Sequence, residues 1–579
     1  MRYTDEKNIL ILISLLKEHN VKKIVASPGA TNVSFVASIQ NDDYFEVYSC
    51  VDERAACYMA CGLAEESGEP VAITCTGATA SRNYFSGLTE AYYRKLPIIA
   101  ITFTQHMGRI GQNVAQVLDR SVVSNDIVNL SVQVPSVGLE EDYWTANLRI
   151  NNALLECKRK GGGPVHINMA TTYSNNYTTT KLPNERVINR YFVNDVFPEI
   201  SSKNVAIFIG AHSKMSEELI NSIELFCEKY NGVVLCDYTS NYHGKYRIYP
   251  NLLANQEHGI SSLKNIELLI DIGNITGAYT NLNSQNIWRV NPDGEIRDTY
   301  KKLTKVFEMN ELDFFNKFNK TKNEKADLSY YNCWKSELDN IQSKVNYDLI
   351  PFSNIWISKK TSEMLSDGST IHLAILNTLR SWNFINTDKN FYGYSNTGGF
   401  GIDGLISTIV GASYSNPNKI IYGFVGDLAT FYDLNSLAIR DIKSNVRIMV
   451  INNGGGVEFH NYNHRGSAAG VDVGKFIAAD GHNGNKSESL LRDFATNLGY
   501  DYISATNKDE FLNNIDKFAT SEMKSKPIIF EVFTSSEDES NALKYMLNIE
   551  KSTTSTVKQL AKEILNENQK SFIKGLLRK

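Results

Sequence analysis

The stretch that most constrains this chain runs from Val425-Gly426-Asp427-Leu428 to Ile451-Asn452-Asn453-Gly454-Gly455. An apolar run (Ile420, Ile421, Phe424, Val425) stops at Gly426-Asp427. The pattern that follows, from Tyr432 to about Ile442, predicts a helix. A second apolar run (Val446, Ile448, Met449, Val450, Ile451) stops at Asn452-Asn453. Strand, helix, strand folds into a parallel pair, and the carboxyl ends of such strands open onto a ligand crevice. Asp427 and Asn453, 26 positions apart, become neighbours there. Both are hard oxygen donors suited to Mg²⁺. Gly454-Gly455-Gly456 lets the backbone approach a diphosphate closely and offer it N–H groups or a carbonyl. Out of context, Gly-Asp is also a turn and Asn-Asn also a helix cap.

The rest of the chain repeats this alternation. Residues 4–18 predict a helix capped by Thr4 or Asp5, and Val21 to Ala26 a strand ending in Ser27-Pro28-Gly29. A short strand at 46–49 precedes a helix over 53–66. A strand over 71–75 turns at Thr76-Gly77-Ala78-Thr79 into a helix reaching about Tyr93, and 96–103 is a further strand. The pattern predicts an α/β chain of consecutive domains with mostly parallel sheets. At 579 residues three or four domains are expected. The Thr- and Asn-rich stretch 171–183 reads as a linker, and the polar region 321–349 as a second boundary. The expected division is 1–180, 185–345 and 350–545, with a helical or frayed tail over 546–579.

A net charge of −5 gives no support for nucleic-acid binding. No apolar run reaches membrane-spanning length, and Met1-Arg2-Tyr3-Thr4-Asp5-Glu6 is not a signal peptide, so a cytoplasmic protein is expected. The eight cysteines form no Cys-x-x-Cys pair and read mostly as small buried thiols in a reducing compartment.

Glu53 is the second focus. It follows a strand and opens a helix, where a carboxylate is favoured simply as a helix N-terminal charge. The order Ser27-Pro28-Gly29, Glu53-Arg54-Ala55-Ala56, Thr76-Gly77-Ala78-Thr79, with the Gly426-Asp427 to Asn452-Asn453 motif, resembles the thiamine diphosphate (ThDP) enzymes. The wording of Tyr394-Ser395-Asn396, Gly401-Ile402-Asp403-Gly404-Leu405 and Gly426-Asp427-Leu428 with Tyr432-Asp433-Leu434-Asn435 is similar to the menaquinone-pathway synthases that join 2-oxoglutarate to isochorismate. The resemblance implies a pyrimidine-binding, a central and a diphosphate-binding domain in that order. It implies a homodimer or homotetramer with the site at the subunit interface. It implies that Glu53 hydrogen-bonds the cofactor's aminopyrimidine, that Asp427, Asn453 and Gly455 hold the metal, and that Ile402 props the cofactor. Ser27, Pro28, Gly29, Thr76, Gly77, Ser395, Asn396, Gly426, Leu428, Gly456 and Val457 complete the implied cofactor contacts. Gln116 falls where such enzymes often place a glutamine in the site. His460, His464 and His106 are candidate proton shuttles, and each also reads as a satisfied or exposed histidine.

The same resemblance implies departures. The synthases clamp carboxylate-rich substrates with arginines, which suit planar carboxylate recognition. Their Ser-Pro-Gly-Ser-Arg turn is here Ser27-Pro28-Gly29-Ala30-Thr31, and the arginine after Ser395-Asn396 is here Thr397. A Lys-Arg pair is replaced by Ala278-Tyr279, and another arginine falls near Gln105-His106, where Arg109 is a partial substitute. Arg380 is retained. The expected reaction is decarboxylation of a 2-oxo acid and transfer of the acyl anion equivalent to an aldehyde, ketone or proton. The alternatives are the menaquinone-pathway synthase itself, an acetolactate-synthase-like ligase with FAD, or a non-catalytic paralogue that keeps the fold. FAD is not supported, since Gly210-Ala211-His212 falls short of a dinucleotide motif.

Overall fold

The computed structural model describes residues 2–258, 261–278, 280–320, 328–482 and 486–550. The chain divides into two compact units, one of residues 1–195 with 293–308, the other of residues 196–292 with 309–579. The expected α/β class is observed, with parallel pairing between neighbouring strands in both units.

The first unit is built on a six-stranded parallel sheet. Its order is Glu46–Ser49, Lys23–Ala26, Val71–Cys75, Ile98–Thr104, Val165–Ala170, Leu130–Val134. The three strands Val71–Cys75, Ile98–Thr104 and Val165–Ala170 are buried along their whole length, as a sheet covered by helices on both faces requires. One face carries the helix Lys7–Glu18, whose Ile9, Ile11, Leu12, Ile13, Leu15 and Leu16 are fully buried. Each such side chain contributes about 1.5–3 kcal/mol of burial energy. The other face carries Glu53–Ser67 and Phe85–Arg94 through Ala56, Ala60, Leu88 and Ala91. The pair Asn189–Phe192 and Leu303–Glu308 also belongs to this unit.

The second unit holds two sets of parallel strands. One runs Arg247–Ile248, Gly232–Cys236, Val205–Ile209, Asn265–Ile272, Asn283–Val290. The other runs Tyr392–Tyr394, Thr370–Leu373, Ile421–Gly426, Val446–Asn452, Ile528–Phe533, Asp501–Ala505. Numbered along the chain, this last sheet has the order 2-1-3-4-6-5, as does the sheet of the first unit. The order reverses between the first and third strands, the kind of switch point where α/β sheets bind ligands. Arg447 lies in the fully buried strand Val446–Asn452. Its guanidinium donates to the carbonyls of Phe518 (2.7 Å), Thr520 and Glu522 (2.5 Å), so both terminal amines of the buried charge have acceptors while Nε has none.

Several elements differ from expectation. The first helix starts at Lys7 with Glu6 as cap residue. Glu6 instead accepts from Ser34, Thr171, Thr172 and Ser174, so the stretch 171–183 lacks regular structure but is tied to the first helix. The expected helix after Thr76 is two helices, Thr79–Asn83 and Phe85–Arg94. The polar region 321–349 contains the helix Ser329–Ser343, which buries Tyr330, Trp334, Leu338 and Ile341. The cysteines are free thiols. Six are buried, but Cys333 is exposed and Cys50 half-exposed. The tail beyond residue 550, and Tyr279, lie outside the described residues. Among the described residues no helix is long and apolar enough to cross a membrane.

Candidate active site

In the second unit the strand Ile421–Gly426 delivers Asp427 to the first position of the helix Asp427–Tyr432. The helix expected over 432–442 is absent. Tyr432 ends the helix Asp427–Tyr432, a short 3₁₀ segment Leu434–Ala438 follows, and residues 439–445 are turns and irregular chain. The cause is Asp433, whose carboxylate accepts from Ser407 N (2.7 Å), Ser407 Oγ (2.6 Å) and Ser436 Oγ (2.5 Å). It anchors the start of the helix Leu405–Ser415.

Asp427 is buried. Its Oδ1 accepts from Leu428 N (2.9 Å) and its Oδ2 from Gly454 N (2.9 Å). Burial pushes its pKa up to about 6, against the lowering effect of those N–H groups. The neighbouring strand Val446–Asn452 delivers Asn453, whose Oδ1 is buried with no donor from the protein. A buried amide oxygen of this kind is costly unless another group meets it. Gly454 sits in the left-handed region at φ 84°, which brings its N–H onto Asp427. A side chain at Gly455 would fall 2.1 Å from Asp480 Oδ1 and 3.0 Å from the Ala478 carbonyl. Gly456 N donates to that same carbonyl (2.5 Å), and Val457 N to the Gly455 carbonyl (3.0 Å). Val457 is buried. The donor set of one carboxylate, one amide oxygen and nearby backbone suits a hard cation such as Mg²⁺. The residues therefore fit a metal–diphosphate group.

Across the switch point of this sheet, Ser395 Oγ is buried with no protein partner, and so is His372 Nε2. Both line a small cavity with Asn396, Leu405, Thr408 and Val425. Asn396 Nδ2 donates to Thr408 Oγ1 (3.2 Å) and weakly to the Gly404 carbonyl (3.4 Å). Ile402 is half-buried against the core of this sheet. Thr397 is buried, with its N–H on the Ser395 carbonyl (2.8 Å). Arg380 donates both guanidinium amines to Glu458, at 2.7 Å each. His460 Nε2 lies 2.9 Å from Asp480 Oδ2. His464 Nδ1 accepts from Gly466 N (3.3 Å) and caps a short turn.

In the first unit, Glu53 opens the helix Glu53–Ser67, but the capping bond comes from Asp52, which accepts from Ala55 N (3.0 Å). Glu53 is thus not needed as the cap and accepts instead from Asn83 Nδ2 (3.0 Å). Ser27 is buried and its N–H donates to the Thr74 carbonyl (2.9 Å). Pro28 follows, and a side chain at Gly29 would meet Thr76 Cβ at 2.4 Å. Thr31 Oγ1 is 2.8 Å from Thr76 Oγ1, donates to the Phe103 carbonyl (3.2 Å) and accepts from Gly77 N (3.2 Å). Gly77 is required, since a Cβ there would stand 2.8 Å from the Phe103 carbonyl. Gln116 is exposed on a loop at φ 65°. His106 is exposed, and its Nδ1 accepts from Gly108 N (3.1 Å).

Asn83, Glu458 and Asp480 were not foreseen. Each partners a foreseen residue from a distant or unpatterned position, and no short-range motif marks them.

Residues 10–123 match the thiamine pyrophosphate enzyme, N-terminal TPP binding domain family. The chain is 30% identical over 567 residues to a 2-succinyl-5-enolpyruvyl-6-hydroxy-3-cyclohexene-1-carboxylate synthase of Phocaeicola vulgatus, covering 94% of this chain and 98% of that protein. It is 28% identical to the same-named synthase of Bacteroides thetaiotaomicron, again over 94% and 98%. The synthase of Porphyromonas gingivalis is 25% identical over 92% of this chain and 95% of its own length. The chain belongs to this 2-succinyl-5-enolpyruvyl-6-hydroxy-3-cyclohexene-1-carboxylate synthase family of thiamine pyrophosphate enzymes.

Proposed function

We propose that the protein uses ThDP and Mg²⁺ to decarboxylate a 2-oxo acid and transfer the acyl anion equivalent to a carbonyl acceptor or a proton. The observation that carries this reading is the buried Asn453 Oδ1 beside Asp427, at the ends of adjacent parallel strands and before three glycines. In this reading Asp427, Asn453 and the Gly455 carbonyl hold the cation, and the Gly454–Gly456 backbone faces the diphosphate. Ser395 lines the small cavity, Leu428 and Val457 flank the metal motif in sequence, and Ile402 supports the cofactor from its half-buried position. ThDP supplies an electron sink for the bond that breaks when CO₂ leaves. Glu53 holds a proton at the aminopyrimidine ring, and the apolar walls exclude water. The division 1–180, 185–345 and 350–545 is carried forward, as are a homo-oligomer that completes the site and a cytoplasmic location.

For the substrate, a smaller and less charged pair than that of the synthases is favoured. Thr31 and Thr397 are buried where the resemblance to the synthases implies arginines, and Thr31 already serves Thr76, Gly77 and Phe103. Arg380 faces Glu458, so clamping a substrate carboxylate requires exchanging a charge-assisted pair. Each lost charged hydrogen bond weakens recognition by about 1.5–3 kcal/mol, roughly tenfold or more. The extent of identity to the synthases favours a second reading, the synthase reaction itself. CO₂ release across a panel of 2-oxo acids separates the two. Monocarboxylic acids should exceed 2-oxoglutarate in kcat/KM. Efficient coupling of 2-oxoglutarate to isochorismate would establish the second reading instead.

A further inference from the structure

The first unit contains a cavity of about 210 Å³ between the helices Thr79–Asn83 and Phe85–Arg94, the central strands and the segment 119–128. None of the residues assigned above to cofactor, metal or substrate lines it. An apolar cavity of about 150 Å³ already takes a benzene ring, so this one has room for a small organic molecule. Most polar groups on its wall are satisfied within the protein. Ser81 Oγ donates to the Ala78 carbonyl (2.7 Å). The His166 ring lies between Thr102 Oγ1 and Ser131 Oγ, 2.8 Å from each. The Asp119 carboxylate accepts from Ser121 N (2.9 Å) and Ser121 Oγ (2.6 Å).

Arg120 is different. Its side chain lines the cavity and the residue is 5% exposed. Nη2 donates to the Phe103 carbonyl (3.0 Å), while Nε and Nη1 are buried with no acceptor from the protein. Burial lowers its pKa to about 10, and Arg82 on the same wall adds to the lowering. Unlike Arg447, which meets three carbonyls, Arg120 has one acceptor for its whole guanidinium, and a buried charge supplied so sparsely is costly unless another group meets it. The apolar part of the wall is formed by Phe85, Leu88, Ala100, Val123 and Val128, with the exposed Val122, Arg82 and Ser124 toward the surface and the Tyr84 hydroxyl buried without a protein partner.

We propose that this cavity is a second ligand site that binds a small branched-chain monocarboxylate, with the carboxylate on Arg120 and the alkyl body against Leu88 and the valines. One buried cation matches one negative charge. The Asp119 carboxylate on the wall disfavours phosphate or a dicarboxylate. The site also communicates with the Thr76-Gly77 turn. The Phe103 carbonyl held by Arg120 accepts from Thr31, and Thr31 accepts from Gly77. Occupancy of Arg120 therefore alters the affinity for the cofactor. The binding is independent of the cofactor assignment; this coupling rests on it.

The test is calorimetric titration of the full-length, ThDP-free protein with isovalerate, which lacks the 2-oxo group and is no decarboxylation substrate. One site per chain is expected. Isovaleramide, the uncharged analogue, should bind about tenfold more weakly or worse, as should isovalerate to Arg120→Gln. Val123→Trp, which fills the cavity and leaves the cation in place, should abolish binding and serves alone if Arg120→Gln does not fold. A folded wild-type protein that ignores millimolar isovalerate overturns the proposal. So does equal binding of the amide, or undiminished binding by folded Val123→Trp.

Discussion

Glu53 and its neighbour Asp52 divide two tasks that a sequence cannot separate. Asp52 caps the helix, and Glu53 holds Asn83 from a half-buried position. Glu53→Gln should therefore fold normally and bind ThDP within a few-fold of wild type, while kcat falls about 10²- to 10⁴-fold, the usual weight of a proton-handling group. Unchanged turnover would remove Glu53 from that role. Glu539 is a second informative carboxyl. It is buried and accepts from Thr534 Oγ1 (2.8 Å), Asn354 N (2.9 Å) and Asn377 Nδ2 (3.3 Å). Burial nonetheless raises its pKa from 4.5 to about 7. Between those values the folded protein keeps a proton that the unfolded chain has released, so stability falls as pH rises through that window, by on the order of 3 kcal/mol. Glu539→Gln should flatten this part of the curve, measured as denaturant midpoints from pH 4.5 to 8; an unchanged slope would assign the pH dependence elsewhere. At this scale the sequence marked Asp427, Asn453 and Glu53 because their residue types follow strand ends in a set order. It could not show that Glu458 faces Arg380 or that Asp480 faces His460, because those pairings depend on how loops close in space.

The elements around the metal motif were legible where hydrophobic runs end abruptly, and illegible where a side chain overrides a periodic pattern. The strands Ile421–Gly426 and Val446–Asn452 end where the apolar runs do. The segment 432–442 has helical spacing, yet Asp433 turns its carboxylate to Ser407 and Ser436 and ends the helix at Tyr432. Asp433→Ala should cost about 1–2 kcal/mol through the lost cap on Leu405–Ser415, read as a shifted denaturant midpoint; no shift would mean that packing alone sets this helix. Gly455→Ala is harsher locally, because the added methyl meets Asp480 and the Ala478 carbonyl. That variant should retain its fold and lose at least about tenfold in Mg²⁺-dependent ThDP affinity. Wild-type affinity would show that the 474–480 segment yields freely.

Across the whole molecule, the two six-stranded sheets share one strand order without any repeat in the sequence. Only the alternation of apolar runs and polar ends is needed to specify such a sheet, and many sequences satisfy it. The chain's α/β class was therefore legible, while the matching topology was not. The helix Glu53–Ser67, which Glu53 opens, leaves Tyr58 and Met59 exposed at 46% and 38%. A homo-oligomer that covers them would complete the site, so sedimentation should give a dimer or tetramer, and Tyr58→Glu with Met59→Lys should yield a less active monomer. A fully active monomer would contradict that arrangement. The central claim is that Asp427, Asn453 and the three glycines hold a metal–diphosphate group. It is tested most directly by calorimetric titration of the cofactor-free protein with ThDP, with and without Mg²⁺. The predicted result is binding near one site per chain that requires the metal and is lost in Asn453→Ala. A folded, oligomeric sample that binds no ThDP in Mg²⁺, or binds it equally well without the metal, would contradict the account.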